Sequence, residues 1–250
     1  MSDIKLWQGD CLKLMKDIPD HSVDLVLCDP PYGTTSCAWD SVIPLDSLWL
    51  EYERITKANS AIVIFGSEPF SSQVRLSNLS NYHYDLYWVK EKPTNFFQLK
   101  RRAGKCTENI MVFYKEQCTY NPQMTPYYGK PVKNQPKASH NSIVSGINNH
   151  VITPYEDNGL RYPTDVLEFR REPLGTTIHP TQKPLDLIEY LIKTYTNGGD
   201  LVLDNCMGSG TTGVACKHLD RNFIGIELDP DYFELAKSRI ENATFPIKLF

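Results

Sequence analysis

Leu201-Val202-Leu203-Asp204-Asn205-Cys206-Met207-Gly208-Ser209-Gly210-Thr211-Thr212 reads as a short buried strand that turns through two glycines into a helix. Glycine has no Cβ, so Gly208 and Gly210 suit a tight turn whose backbone approaches a ligand. They equally suit a plain strand-to-helix turn. The helix runs over 211–219, and Phe223-Ile224-Gly225-Ile226 follows as another apolar strand ending at Glu227. A helix over 231–240 comes next, with Asp229 and Asp231 as acids at a helix N-terminus, where the dipole favours them. The third glycine of a dinucleotide fingerprint is missing. A carboxylate at Glu227, nineteen residues after Gly208, is placed to accept from ribose hydroxyls. Together these features suit an adenosyl ligand without a pyrophosphate.

The same alternation recurs upstream. Ile4 to Gln8 reads as a strand ending at Gly9-Asp10, and 11–18 as helical, with Asp10 also fitting a helix cap. Val23 to Cys28 is a nearly continuous apolar run, the pattern of a parallel strand buried on both faces. A helix is expected over 45–55, a strand over 61–65, and Pro69 suits the first turn of the next helix. Tyr82 to Val89 and Ile110 to Tyr114 are aromatic-rich strand candidates, Leu185 to Tyr195 an amphipathic helix, and Pro246 to Phe250 a closing strand. Strands alternating with helices predict an α/β fold with a Rossmann-like, doubly wound, mostly parallel sheet. Ligands in such sheets lie beyond the carboxyl ends of the strands. Asp10, Asp29, Gly66, Asp204 and Glu227 stand at those ends.

Asp29-Pro30-Pro31-Tyr32 closes the Val23 strand and precedes Gly33. The prolines stiffen the backbone and need no amide partner. Asp29 supplies a carboxylate acceptor, Pro30 a free carbonyl and Tyr32 a flat face. An exocyclic aromatic amine has two N–H donors and a lone pair delocalised into its ring. Accepting both donors draws the nitrogen towards sp3 and frees the lone pair to attack a methyl group.

From about 118 to 173 the chain is rich in Pro, Asn, Tyr and Gly with little periodicity, which marks an inserted, loop-rich lobe. The expected division is 1–117, 118–175 and 176–250, the first and last being parts of one domain. Net charge is −4, but Leu86 to Lys137 carries ten bases against three acids, so that segment holds +7 and the remainder −11. Such polarity suits a polyanion-facing lobe on an acidic body, or a solvated lysine-rich loop. Seven cysteines, at 11, 28, 37, 106, 118, 206 and 216, form no Cys-x-x-Cys pair. They read as reduced thiols of a cytoplasmic protein, with no disulfide framework and no metal site. The sequence shows no apolar run long enough to span a membrane, and Met1-Ser2-Asp3-Ile4-Lys5 does not look like a signal peptide.

Taken together, Asp29-Pro30-Pro31-Tyr32, the irregular lobe, His179-Pro180-Thr181-Gln182-Lys183-Pro184 and the glycine loop resemble, in that order, the β group of DNA amino-methyltransferases. The resemblance covers roughly 4–115 and 176–242. It implies a circularly permuted methyltransferase fold in which Ile4 to Gln8 lies beside the Glu227 strand. It implies methyl transfer from S-adenosylmethionine to adenine N6 in duplex DNA, with the base flipped out of the helix. Asp29, Pro30, Pro31 and Tyr32 then form the catalytic corner. Asp10, Cys11, Asp29, Thr181, Lys183, Asp204, Met207, Gly208, Ser209, Gly210, Thr211, Thr212 and Glu227 are the cofactor residues it implies. The family usually carries Asp-Pro-Phe where this chain has Asp204-Asn205-Cys206, so the aromatic that borders the cofactor is absent.

Lys100, Arg101, Arg102 and Lys105 are candidate phosphate contacts, with an exposed basic turn as the plainer alternative. In the lobe, Tyr127, Tyr128, Asn134, Gln135, His140, Asn141, Asn148 and Asn149 are candidates for reading base edges. In that family Ser at the first position of the tetrapeptide usually goes with cytosine N4, so the resemblance, with Asp29 there, implies adenine rather than cytosine N4. Other readings are the same chemistry on RNA or on a protein glutamine, and a non-catalytic DNA-binding module. The expected partner is double-stranded DNA, met by a monomer or homodimer, with or without a restriction endonuclease beside it.

Overall fold

Period-two burial along Leu25, Val26, Leu27 and Cys28 divides the molecule into two faces: Leu25 and Leu27 belong to one hydrophobic cluster, Val26 and Cys28 to the other. A single sheet separates them. The computed structural model describes residues 2–33, 41–127, 158–171 and 182–244. Its elements run β1 (Ile4–Gln8), α1 (Cys11–Leu14, continued by a 3-10 turn over Met15–Asp17), β2 (Val23–Cys28), α2 (Leu45–Ile55), β3 (Thr56–Gly66), α3 (Phe70–Ser77), β4 (Tyr82–Val89) and β5 (Thr107–Phe113). There follow β6 (Thr125–Pro126), β7 (Leu160–Arg161), β8 (Val166–Glu168), α4 (Leu185–Tyr195), β9 (Leu201–Asp204), α5 (Thr211–His218), β10 (Asn222–Glu227) and α6 (Pro230–Asn242).

Eight strands make the sheet in the order β1-β10-β9-β2-β3-β5-β4-β8. The first five are parallel, β5 is antiparallel to both its neighbours, and β8 pairs parallel with β4. β1 lies on β10 with Gln8 opposite Glu227, the adjacency the permuted order requires. One cluster packs Leu187, Leu191 and Tyr195 of α4, Ala215 of α5 and Ile240 of α6 on the sheet. The other packs Trp49 and Tyr52 of α2 and Phe70 and Val74 of α3. The fold is thus the expected α/β one, with helices on both faces.

Contacts divide the chain into Met1–Asn121 with Thr164–Phe250, and a separate unit, Pro122–Pro163. Within the second unit the described residues form a β6–β7 ribbon, with Tyr127 N donating to Gly159 O and Arg161 stacked over Tyr127 at 4.0 Å. Val166 to Glu168, expected within irregular chain, instead forms the edge strand β8. Its one buried residue, Leu167, joins the core. The helix expected over 11–18 is shorter, tightening to 3-10 geometry at Met15. Residues Tyr128, Asn134, Gln135, His140, Asn141, Asn148, Asn149, His179, Pro180 and Thr181, and the strand expected over 246–250, lie outside the described residues. No helix among the described residues is long and apolar enough to cross a membrane.

Gly210 precedes α5 at φ +78°, and a Cβ built there meets Ala236 Cβ at 2.9 Å and Ala236 Cα at 3.0 Å. Its lack of a Cβ therefore lets the loop pack closely on α6. Left-handed strain and overpacking add at this position. Gly210→Ala is expected to cost about 2–4 kcal/mol, read as a lower urea midpoint with an unchanged m-value.

Candidate active site

The carboxyl ends of the parallel strands open into one cavity of about 1270 Å³. That exceeds the roughly 300–1,000 Å³ of a typical small-molecule site, which leaves room for two ligands side by side. Asp29, Pro30, Pro31 and Tyr32 line it from the end of β2. Asp10 and Cys11 line it from beyond β1, Asp204, Met207, Gly208, Ser209, Thr211 and Thr212 from the β9–α5 turn, and Glu227 from β10. Lys183, just ahead of α4, closes one wall. Every expected catalytic residue and, among the described residues, every expected cofactor residue except Gly210 therefore faces one space.

The catalytic corner is a buried charge network. Lys183 Nζ donates to Asp29 Oδ2, and lies 3.1 Å from Glu108 Oε1. Lys90 Nζ donates to Glu108 Oε2. The Tyr32 hydroxyl donates to Asp29 Oδ1 at 2.6 Å and stands 3.2 Å from Glu108 Oε1. The Tyr32 ring stacks on Phe70, with centroids 5.1 Å apart and planes at 23°. The Tyr32 hydroxyl and one face of its ring therefore already have partners within this corner.

Charges in this corner set one another. Burial alone raises the Glu108 pKa, yet Lys183 and Lys90 more than reverse it and bring the carboxyl to about 2. Burial also works against the Lys183 ammonium, but Asp29 and Glu108 overcome it and hold that pKa above its ordinary value. For Lys90 burial wins over Glu108, and the pKa falls. Burial, then Asp29 and Glu108, push the Tyr32 phenol well up, so it stays a donor.

Glu108 and Lys90 escaped the sequence reading. The signal available was an acid inside the apolar run Ile110-Met111-Val112-Phe113 extended backwards, in a strand that the sequence begins at 110 and the structure at Thr107.

At the opposite corner Glu227 organises the glycine loop. Its Oε2 accepts from Gly208 N at 2.8 Å and its Oε1 from Asp229 N at 2.9 Å. Gly208 sits at φ +50° with nothing within 4 Å of a built Cβ, so the loop leaves open space there. Asp204 is buried and accepts from Cys206 N at 3.1 Å and from the Thr212 hydroxyl at 2.6 Å. Burial raises its pKa to about 7, and burial also raises that of Glu227. Asp10 caps α1, accepting from Leu12 N at 2.9 Å and Lys13 N at 3.3 Å, while still lining the cavity. Where the family carries an aromatic, Cys206 Sγ accepts from Asn205 Nδ2 at 3.6 Å, and Tyr52 donates to Asn205 Oδ1 at 2.6 Å. A small thiol replaces the ring, and Tyr52 of α2 braces the asparagine beside it.

Lys100, Arg101 and Arg102 are exposed on the β4–β5 connection. Lys105 differs, being half-buried with its ammonium on Ser67 Oγ. The six described cysteines are free thiols, and the described residues hold no group of three or more His, Cys, Asp or Glu able to bind a metal.

A permuted α/β sheet with this paired corner geometry defines a nucleoside-cofactor group-transfer enzyme. The family model for DNA methylases, N6_N4_Mtase, matches residues 23–238, and the chain belongs to that family. The type II methyltransferase M.HpaI of Haemophilus parainfluenzae is 28% identical over 255 residues, covering 96% of this chain and 75% of that protein. DNA adenine methyltransferase YhdJ of Escherichia coli (strain K12) is 28% identical over 251 residues, covering 94% and 82%. Among solved structures, the M1.HpyAVI–SAM complex matches with a TM-score of 0.62 and 30% identity, covering 95% of this chain and 98% of that one.

Glu108→Gln leaves Lys90 and Lys183 facing a neutral amide in a buried site, an expected loss of about 3–5 kcal/mol at pH 7. The folded pKa of about 2 lies below the ordinary 4.5. Stability from Glu108 is therefore present above about pH 4.5 and lost as pH falls towards 2. Urea unfolding of both proteins should show the gap narrowing over that window.

Proposed function

We propose that the chain is a site-specific DNA methyltransferase that transfers a methyl group from S-adenosylmethionine to adenine N6 in duplex DNA, in the cytoplasm. One observation carries this reading: Asp29 to Tyr32 and the Glu227-braced glycine loop line the same cavity. The residues present fit the cofactor. Glu227 is placed for ribose hydroxyls, and Gly208 leaves its approach open. Asp10, Asp204, Glu227 and Asp229 make that end acidic, which repels phosphates and suits a cationic sulfonium. When bound, S-adenosylmethionine supplies an electrophilic methyl carbon on that sulfonium.

The chain's own residues handle the base. An adenine flipped from the helix enters the other corner. Tyr32, backed by Phe70, offers a stacking platform worth about 1–3 kcal/mol. Asp29 and the Pro30 carbonyl accept the two amino hydrogens and free the nitrogen lone pair; the new N–C bond would form as the methyl–sulfur bond breaks, with S-adenosylhomocysteine as the leaving group. Because the Tyr32 hydroxyl lies between Asp29 and Glu108, it has a second acceptor when the base claims Asp29. Lys183 fixes the carboxylate from behind. Positive charge then growing on nitrogen is stabilised by Asp29, and the excess proton leaves along the same hydrogen bond.

Incubation with methyl-labelled cofactor and duplex DNA, followed by nucleoside analysis, should yield N6-methyladenine; N4-methylcytosine alone would overturn the choice of base. Asp29→Ala should slow transfer roughly 10²–10³-fold at saturating cofactor. A variant near the wild-type rate would remove Asp29 from the chemistry.

Replacing Lys100, Arg101 and Arg102 by Gln should weaken binding to all duplexes alike. The log–log salt slope should fall by about 1 for each phosphate that no longer meets a cation. An unchanged slope would place those residues off the DNA.

A further inference from the structure

The connection between β4 and β5 carries an exposed aromatic that nothing in the fold uses. Phe97 is 99% exposed and its neighbour Phe96 68% exposed. Phe96 and Phe97 together make a contiguous exposed apolar patch, and contiguous patches rather than single exposed residues mark interaction sites. The turn itself is well tied. Asn95 Nδ2 donates to Ala103 O at 2.9 Å, Lys105 N to Asn95 Oδ1 at 2.7 Å and Thr94 N to Lys105 O at 2.9 Å. Its interior is closed by Gly104 against Pro93 and Leu99, since a Cβ on Gly104 meets Pro93 Cβ at 2.9 Å and Leu99 Cδ2 at 3.1 Å. The two phenylalanines stay outside that packing and touch each other edge to face at 5.9 Å.

Position and charge identify the partner. The turn begins at the cavity wall, where Pro93 and Thr94 are lining residues, so Phe97 follows the rim by three positions. Lys100, Arg101 and Arg102 follow it at three to five positions, all exposed. A projecting ring flanked by cations fits a polyanion whose interior is made of stacked flat rings. We infer that Phe97 is a wedge that enters the base stack of duplex DNA beside the target and holds open the gap an extruded base leaves. The inference rests on the reading of duplex DNA as substrate. Apolar wedges of this kind unstack a base step while cations hold the phosphates on either side.

A wedge acts on pairing and stacking, so its loss matters only where the target base is stacked and paired. After the recognition sequence is mapped by sequencing DNA methylated in expressing cells, two duplexes are compared. One carries the normal target pair and the other an abasic site opposite the target adenine. Phe97→Ala should lower kcat/KM roughly tenfold to a hundredfold on the paired duplex, and stay within about twofold of wild type on the abasic one. Phe97→Trp should restore the paired rate, and cofactor titration should show both variants folded and competent. Equal slowing on both duplexes, or a change of oligomeric state that accounts for the slowing, would overturn the wedge and leave a structural or subunit-contact role. A wild-type rate on the paired duplex would overturn it too. Failure of the wild-type protein to methylate any duplex would instead remove the substrate reading beneath it.

Discussion

Lys183 is the point on which the two parts of the site turn. Its ammonium reaches Asp29, 154 residues earlier in the chain, and Glu108 on β5. It also lies 4.9 Å from the centre of the Phe65 ring. Burying an isolated ammonium or carboxylate costs several kcal/mol. Here two acids, Asp29 and Glu108, face two bases, Lys90 and Lys183. The cluster is neutral as a set, and each member makes the burial of the others tolerable. Two hydrogen bonds fix the direction in which Asp29 points: Lys183 holds one oxygen and leaves the other towards the Tyr32 side.

The opposite corner has a different field. Acids dominate it, and desolvation already raises the pKa of Asp204 and of Glu227. A cation arriving there relieves the strain those carboxylates carry, so its binding is linked to their ionisation. The two corners therefore differ in field: the charges around Asp29 balance one another, and those around Glu227 are acidic.

How much of this could be read in the chain follows from the range of the interactions involved. β2, β9 and β10 are legible because a parallel strand buried on both faces must be apolar throughout, a local requirement. Asp29 and Glu227 are legible as acids standing where such strands stop. β8 is not, since three residues with one buried side chain leave no period to detect. Glu108 and Lys90 are illegible for another reason. A buried charge is permitted only by its partners, and Glu108 finds them 18 residues before it, at Lys90, and far along the chain at Lys183. Gly210 shows the limit from the other side: its spacing marks a loop, but only the nearness of Ala236 on α6 reveals which atom a side chain would strike.

The permuted chain order is of little physical consequence to the site, and the reason lies in one strand pair. β2 and β9 are neighbours, with Leu25 opposite Val202 and Val26 opposite Leu203. Adjacent strands lie about 4.8 Å apart, so Asp29, one residue past β2, and Asp204, closing β9, emerge on neighbouring strands two positions apart in register, although one comes early in the chain and the other late. Where the chain is cut does not alter that adjacency, as β1 supplying the strand beside β10 demonstrates. Register is what cannot change. Side chains alternate across the sheet, and a slip of one residue between β2 and β9 would turn Leu25 and Val26 to the wrong faces. The packing of two hydrophobic clusters that share no residue on β2 forbids such a slip, and so the core itself sets the spacing between Asp29 and Asp204.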